Sequence, residues 1–587
     1  MKKYLSMILA AGLMSACMDM ELLPNDKTVD EDFWQSKSDV ALMVNGAYKQ
    51  FSSTEVQKRL IVWGGFRSDE LLLNSGVPAS DGTYIALNQI QEVNIETTNT
   101  FSDWSSLYSV INYCNIVLEK AKAVMDIDPN YAEGDYLADR SQMLSLRALC
   151  YFYLVRTFRD VPYTTTAYMS SSQGMQVNQL PPTEVLQLCI DDLLEAEKNA
   201  LSPRMNGWKR VGWITKDAIQ SILADIYLWR GSVLHNNADY QACVDYCNKV
   251  IESKKSQHIV TDVVSEKLDY PLTIGGRAFV DLYVTQNAEE SIFEMQFSGA
   301  NSTSTNTGLA QMYYEYKKNG KNAYLQAALN FGSVKNSSEP DALEAIYTNQ
   351  YDCRYWNNCY SVGDGKSSQF NIRKGTATSA WFSNSLPTSG DNSTAVRTYD
   401  YFDQNFIVYR LADIMLMKAE ALVALANNSG EVTSEEDTED TNLNAERLTE
   451  ALDLVNQVYK RSLDESQWSA SLYKDYKKND PAVMEKLVLQ ERFRELCFEG
   501  KRWYDILRYN YRHQETPCNY STLMVEQGSY MKNYQEFLDI VGRKYDNGAS
   551  RTNKMKEEPR LYLPVPHNDI ITCRGWLRQN PMYTDED

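Results

Sequence analysis

Apolar residues recur every three to four positions over most of this chain, and that spacing predicts helices. Between Asp103 and Met125, Trp104, Leu107, Tyr108, Ile111, Val117, Leu118 and Ala121 form one apolar stripe, with Asp103 placed as the N-cap. A second helix is predicted from Tyr136 to Phe158. It stops before Asp160-Val161-Pro162, where proline disfavours continuation. Pro182–Asn199, Thr215–Gly231 (Thr215 as cap, Gly231 as stop) and Asp239–Glu252 complete an N-terminal series. Helix pairs separated by short breaks predict degenerate tetratricopeptide-like units without a strict repeat period.

From Ser253 to Asn405 the pattern changes. This stretch is rich in Ser, Thr, Asn, Gly and Tyr, and only Gln311–Asn319 and Pro340–Thr348 read as helix. Ser291–Phe297 alternates like a short strand. A segment this long with so few regular elements is expected to be functional, because binding residues concentrate on loops held by a rigid scaffold. Helices then return. Phe406–Ala426 is apolar nearly all round, apart from a stripe at Arg410, Asp413, Met417 and Glu420, which predicts a buried helix with one polar side. Asn427–Asn442, with its acidic run at 435–440, reads as a solvated loop whose spacing fits no EF-hand. Pro481–Arg508 reads as one strong helix, with Glu491/Arg494 and Glu499/Arg502 paired at i, i+3. Gly500 inside it implies close approach of another backbone.

Composition narrows the function. The 587 residues carry a net charge of −20, which argues against nucleic acid, whose phosphates need clustered Lys and Arg. It argues equally against adsorption of the body onto an anionic membrane. The 39 tyrosines outnumber the 17 phenylalanines and 11 tryptophans together. Tyr offers a flat apolar face and a hydroxyl, which suits wet binding surfaces as well as half-buried helix packing.

The N-terminus is the most specific local signal. Lys2 and Lys3 precede a short apolar run, Tyr4–Met14, too short to span a bilayer, so residues 1–16 read as a secretory signal. Ser15-Ala16-Cys17 resembles a bacterial lipobox, with Met14 where Leu is usual. That implies cleavage before Cys17 and acylation of its thiol and new amino group, and several acyl chains on one residue anchor stably. Of the other ten cysteines, Cys114, Cys150, Cys189, Cys243, Cys247 and Cys497 fall in helix-like apolar patterns, where a free thiol packs as a small hydrophobe. Cys353 and Cys359 flank a short polar loop at a separation that permits a disulfide without requiring one.

A search for chemistry returns little. The four histidines (His235, His258, His513, His567) lack partners at metal-ligand spacing, and there is no CxxC, HExxH or G-x-S-x-G. Gly365-Lys366-Ser367 lacks the earlier glycine of a phosphate loop, since Tyr360 stands there. Carboxylate pairs abound, but with 78 acidic residues any one pair reads as surface. No cofactor or metal is expected.

Five stretches, in order, resemble the SusD/RagB family of surface lipoproteins. Leu146–Val155 followed by Phe158-Arg159-Asp160-Val161-Pro162-Tyr163 resembles "RA-x-x-YF-x-L … FGDVPY", with Arg159 for glycine. Asn287–Glu294 resembles "N-x-E-x-IFE", and Arg410–Ala421 resembles "R-x-A-E-x-x-L-x-x-AEA" with Asp413 for Glu. Glu491–Asp505 resembles "ERR-x-EL-x-FEG-x-RW-x-D" with Phe493 for the second arginine. Leu563–Tyr583 resembles "P-I-P … EI … QNPGY" with Met582 for Gly.

The resemblance implies a mainly α fold, with tetratricopeptide-like pairs supporting an irregular ligand-binding face and a few short strands. After the signal, 17–587 would form one unit: a helical scaffold over 30–252, a loop-rich binding region over 253–405, and helices again over 406–587. It also implies a non-enzymatic lid over a SusC-like TonB-dependent transporter at the outer membrane, facing outward, capturing oligosaccharides through exposed aromatics. Capture of peptides by the same fold is the alternative, and the −20 charge would favour neutral or basic ones. A surface glycoside hydrolase ranks third.

A sugar ring packs its C–H face on Trp or Tyr while Asn, Asp and Arg bond its hydroxyls. Two places are expected to supply such groups. The segment 68–94 offers Asp69, Asn74, Tyr84 and Asn88. The loop-rich region offers Tyr283, Tyr313, Tyr355, Trp356, Tyr360 and Trp381, with Trp356 and Trp381 foremost because they lie among polar, non-periodic residues. Trp104, Trp229 and Trp503 fall in helical stripes and are assigned to the core.

Overall fold

Where the helical spacing is strongest, helices form. In the computed structural model, the N-terminal series is α1 (Lys37–Phe51), α2 (Thr54–Ile61), α3 (Gly82–Gln91), α4 (Ser105–Val124), α5 (Glu133–Phe158), α6 (Pro182–Glu197), α7 (Lys216–Leu234) and α8 (Asn237–Gln257). Among the short helices that follow are α9 (Thr307–Tyr313) and α10 (Cys353–Asn358). Then come α11 (Leu411–Asn427), α12 (Thr438–Arg461), α13 (Pro481–Leu496), α14 (Arg502–Arg512), α15 (Gln535–Gly542) and α16 (His567–Thr572). The structure describes residues 33–583 apart from 170–172, 174–176, 259–267, 301–303, 315–322, 329–330, 332–345, 348–350, 362–369, 378–401, 429–437, 464, 469–472, 475–477, 525–530, 546–547 and 574. The signal segment, Cys17, Gly365–Ser367, Trp381 and most of the helix expected at 340–348 therefore lie outside the described residues.

The helices pack on one another largely in chain order: α4 on α5, α5 on α6, α7 on α8, and α8 on α11, which also meets α12 and α13. One hydrophobic cluster runs through them from Trp34 to Val565 and includes Trp104, Trp229 and Trp503. The six cysteines in apolar patterns are all buried. Cys353 and Cys359 are free thiols, and Cys353 opens α10 instead of flanking a loop.

Three expectations are corrected. Gly231 does not end α7; it lies inside the helix, where the Tyr240 ring sits 3.0 Å from the position a Cβ would take. The helix ends at His235, in a left-handed conformation (φ 52°). The all-round apolar stretch at 406–426 is a strand and a helix: Phe406–Arg410 pairs antiparallel with Ser291–Met295 before α11 begins. Both strands are buried along their whole length, and a strand buried on two faces has the same apolar run as a buried helix.

The third correction is at 481–508, which breaks between α13 and α14. Phe498 (φ 65°) and Gly500 (φ 69°) turn the chain there. A Cβ on Gly500 would lie 2.8 Å from the Leu60 carbonyl, and one on Gly64 would lie 1.8 Å from that of Gly500. The expected close backbone approach is real, and it clasps the π-helical turn Val62–Phe66 onto the α13–α14 break.

The charged motif residues are buried and paired. Arg410 reaches Glu290 (3.1 Å), Glu495 (2.5 Å) and Glu499 (2.8 Å), and Arg461 binds Glu290 and Glu495 as well. Arg354 joins Glu491 (2.7 Å) and Glu495 (2.9 Å). A second cluster links Arg492, Asp413, Asp505, Arg508, Glu420 and Arg512. Glu499 and Arg502 do not pair with each other. Glu499 goes to Arg410 and Lys374, and Arg502 to Asp69. Burial alone would raise the Glu499 pKa; Arg410 and Lys374 instead hold it down to about 2.

Candidate ligand-binding face

Four short strands assemble β1 (Leu71–Leu73), β5 (Leu325–Ala327), β6 (Cys359–Ser361) and β7 (Phe370–Ile372) into one sheet of order β1-β5-β7-β6. The numbers between belong to β2 (Val161–Pro162), β3 (Gln179–Leu180) and β4 (Ser291–Met295), and Phe406–Arg410 is β8. Leu71 pairs with Ala327, Ala327 with Phe370, and Ile372 with Cys359. Three inter-strand gaps make the sheet about 14 Å wide. One edge abuts α3 and the other α10. The sheet therefore unites two regions more than 260 residues apart (353 − 91) that the sequence nominated separately.

Local bonds hold α3 in place. Asp81 caps it, accepting from the Thr83 and Tyr84 amides, and its other oxygen accepts from the Tyr324 hydroxyl beside β5. Gln91 accepts from the Leu73 amide of β1, and Asn99 donates to the Ala86 carbonyl and to Gln89. Asn88 and Ile85 are exposed on this helix, while the half-buried Tyr84 ring packs against the core. At the far edge, Asp352 caps α10 and Arg354 ties it to α13. Trp356 is half-buried, edge-on to Tyr355 with centroids 4.4 Å apart, and its carbonyl accepts from Arg373.

Beside the N-terminal end of α3 opens a cleft of ≈ 780 Å³, lined in part by Thr83, Thr97, Thr98, Thr100, Lys58 and Asn568. Its ions are largely balanced: Arg59 bridges Glu55 and Asp103, each at 2.9 Å. Burial lowers the Lys58 pKa against the opposing pull of Glu55. The buried Thr97 hydroxyl, on the cleft wall, has no hydrogen-bond partner among the described residues. Threonine hydroxyls and the Asn99 and Asn568 amides share the wall with Glu55, Arg59, Asp103 and Asp569, a mixed polar lining that offers many hydrogen bonds to a hydroxyl-rich ligand.

The nominated residues divide. Tyr84 and Asn88 stand on the helix at one edge of the sheet and Trp356 on the helix at the other, whereas Trp381 and the Tyr360 side chain lie outside the described residues. Asp69, Tyr283 and Tyr313 are corrected to scaffold positions. Asp69 is fully buried in a two-point pair with Arg502 (2.8 and 3.1 Å). The Tyr283 hydroxyl donates to Glu499 and that of Tyr313 to the Phe498 carbonyl, both inside the core. Asn74 is buried too, donating to the Ala323 carbonyl. The cleft threonines were missed; the polar run Thr97-Thr98-Asn99-Thr100 was the available signal.

Comparison with known proteins agrees with this architecture. The model described as "SusD family" matches residues 222–583, and one described as "Starch-binding associating with outer membrane" matches 23–228. The chain belongs to the SusD family, a family of binding proteins. It is 23% identical to SusD-like protein P38 of Formosa agariphila over 519 residues, covering 86% of this chain and 90% of that protein. Among solved structures, a SusD homologue of Bacteroides thetaiotaomicron shares the fold with a TM-score of 0.66 at 16% identity, covering 95% of this chain and 99% of that one. NanU of Bacteroides fragilis does so with a TM-score of 0.62 at 18% identity, covering 96% and 99%. Among the described residues no helix is long and apolar enough to cross a membrane.

Proposed function

We propose that this protein captures an oligosaccharide on the face formed by α3, the β1-β5-β7-β6 sheet and α10, without turnover. It then delivers the ligand to a SusC-like TonB-dependent transporter, held at the outer membrane, facing outward, by acyl chains on Cys17. What supports this reading is the sheet, whose edges abut the helix carrying the exposed Asn88 and the helix carrying the half-buried Trp356, with a polar cleft beside the first. Stacking and amide hydrogen bonds together are what a pyranose chain requires. The starch-binding description of the N-terminal family model supports the same class of ligand.

The test is calorimetric titration of the chain starting after Cys17 against panels of neutral oligosaccharides and of peptides. Saturable binding of one glycan class, with the ligand recovered unaltered, is expected. Trp356→Ala is then expected to weaken it about tenfold. Silence from glycans with heat from peptides would replace the ligand class, and released products would make the protein a hydrolase.

A further inference from the structure

Away from that face, the segment joining α6 to α7 presents a second aromatic surface. Trp208 is the most exposed tryptophan of the described residues, at 46%. Single exposed apolar side chains are common and need no explanation, so the surroundings decide the matter. Gly207, with φ +66°, turns the chain before it. Gly212 has no Cβ, and one placed there would stand 2.7 Å from Trp208 Cε3. The indole thus lies against bare backbone, held from beneath. Trp213 meets it edge-on, with centroids 5.9 Å apart at 79°. The Lys209 ammonium sits 4.7 Å from the Trp213 ring centre. The result is a braced Trp208 indole whose edge-on neighbour, Trp213, carries the Lys209 cation over its ring.

Charge sets this segment apart from the rest of the chain. Residues 204–216 contain Arg204, Lys209, Arg210 and Lys216 and no carboxylate, in a protein of net charge −20. Arg210 is fastened, donating to the Asn287 and Ala288 carbonyls, and Arg204 donates to Ser256. The carboxylates nearest Arg210 are already engaged: Asp217 with Gln257, Glu294 with Asn405, and Glu289 with His258.

We infer that Trp208, braced by Trp213 and flanked by Lys209, is a second ligand platform that takes a pyranose bearing a carboxylate or sulfate. The sugar's C–H face would stack on the outer face of the indole. Its anionic group would be drawn to the Lys209 ammonium in a charge-assisted hydrogen bond. A neutral sugar would gain only the stacking. This inference rests on the reading of the protein as a glycan binder and adds a charge preference to it.

Protein labelled with 5-fluorotryptophan separates the two sites, because the Trp208, Trp213 and Trp356 resonances can be assigned from single Trp→Phe variants. The probes are oligogalacturonate, a sulfated galactan oligomer, a neutral malto-oligosaccharide and a polyglutamate peptide. An acidic oligosaccharide is expected to shift Trp208 and Trp213 saturably, with the shift weakened by added salt. Trp208→Ala is expected to reduce that affinity about tenfold, and Lys209→Gln, which removes no packed ring, reports the charge preference without that loss of packing. Lys209→Gln is expected to remove the preference for acidic over neutral sugar. Shifts at Trp356 alone would overturn the platform and leave the capture reading standing. Silence at all three from every sugar would overturn both. An equal response to polyglutamate would replace the sugar with an acidic protein partner.

Discussion

Two regions of this molecule use the same residue types to opposite ends. In the cluster around α11, α13 and α14, Arg410, Glu495, Glu499 and Arg461 are sealed from water and bonded to one another. On the α3–sheet–α10 face, polar groups such as Asn88 stay in solvent, and the regular elements are three to ten residues long. A buried charge must be paired, because stranding it is expensive. A group engaged in that way has nothing left to offer a ligand. The difference teaches that in this fold residue type does not announce a site; burial and prior engagement do.

The sharpest way to break that contrast is to strand the network. Arg410→Ala leaves three buried carboxylates without their shared partner and is expected to lose about 3–5 kcal/mol of stability in urea unfolding. A loss below about 1 kcal/mol would mean water reaches the cluster, and the contrast between the regions would collapse. Gly500→Ala is next. A left-handed alanine costs about 1–2 kcal/mol, and its Cβ would press on the Leu60 carbonyl as well, so thermal unfolding should show at least that much. Tyr283→Phe deletes the hydroxyl bonded to Glu499 and is expected to lose about 1 kcal/mol while leaving ligand affinity unchanged. A loss of affinity instead would return Tyr283 to the binding face.

A further prediction concerns pH, at the join between the two regions. Burial pushes the Glu70 carboxyl up to about 8, against the Phe498 amide that donates to it. The folded protein therefore holds a proton that the unfolded chain releases near pH 4. The stability this contributes is present in full at low pH and is lost as pH rises through about 8. Lys544 works the other way. Burial lowers it to about 7, opposed by Asp69 and Glu70, so above pH 7 the unfolded chain binds the extra proton and stability gains as pH rises. Glu70→Gln keeps an acceptor for the Phe498 amide. Its stability relative to the unmodified protein should rise between pH 5 and pH 8 in denaturant titrations. Parallel curves would show Glu70 to be ionised throughout.

Helix positions such as 105–124 and 133–158 were legible in the chain because a periodic apolar face reports its own burial. So was the family, through charged motifs whose order along the chain matters more than any one of them. The tandem of β8 and α11 was not legible, since a strand buried on both faces and a helix buried all round carry the same apolar string. Nor was the break at Phe498–Gly500, where the left-handed turn follows from contact with Leu60 and Gly64, far away in sequence. Aromatic and polar residues in aperiodic stretches were nominated together, yet Trp356 came to a surface while Tyr283 and Asp69 went to the interior. Local spacing determined the helical class and the scaffold. Which side chains stay free for a ligand was decided by tertiary pairing, because the partner that engages each one lies hundreds of residues away: Glu499 for Tyr283, Arg502 for Asp69.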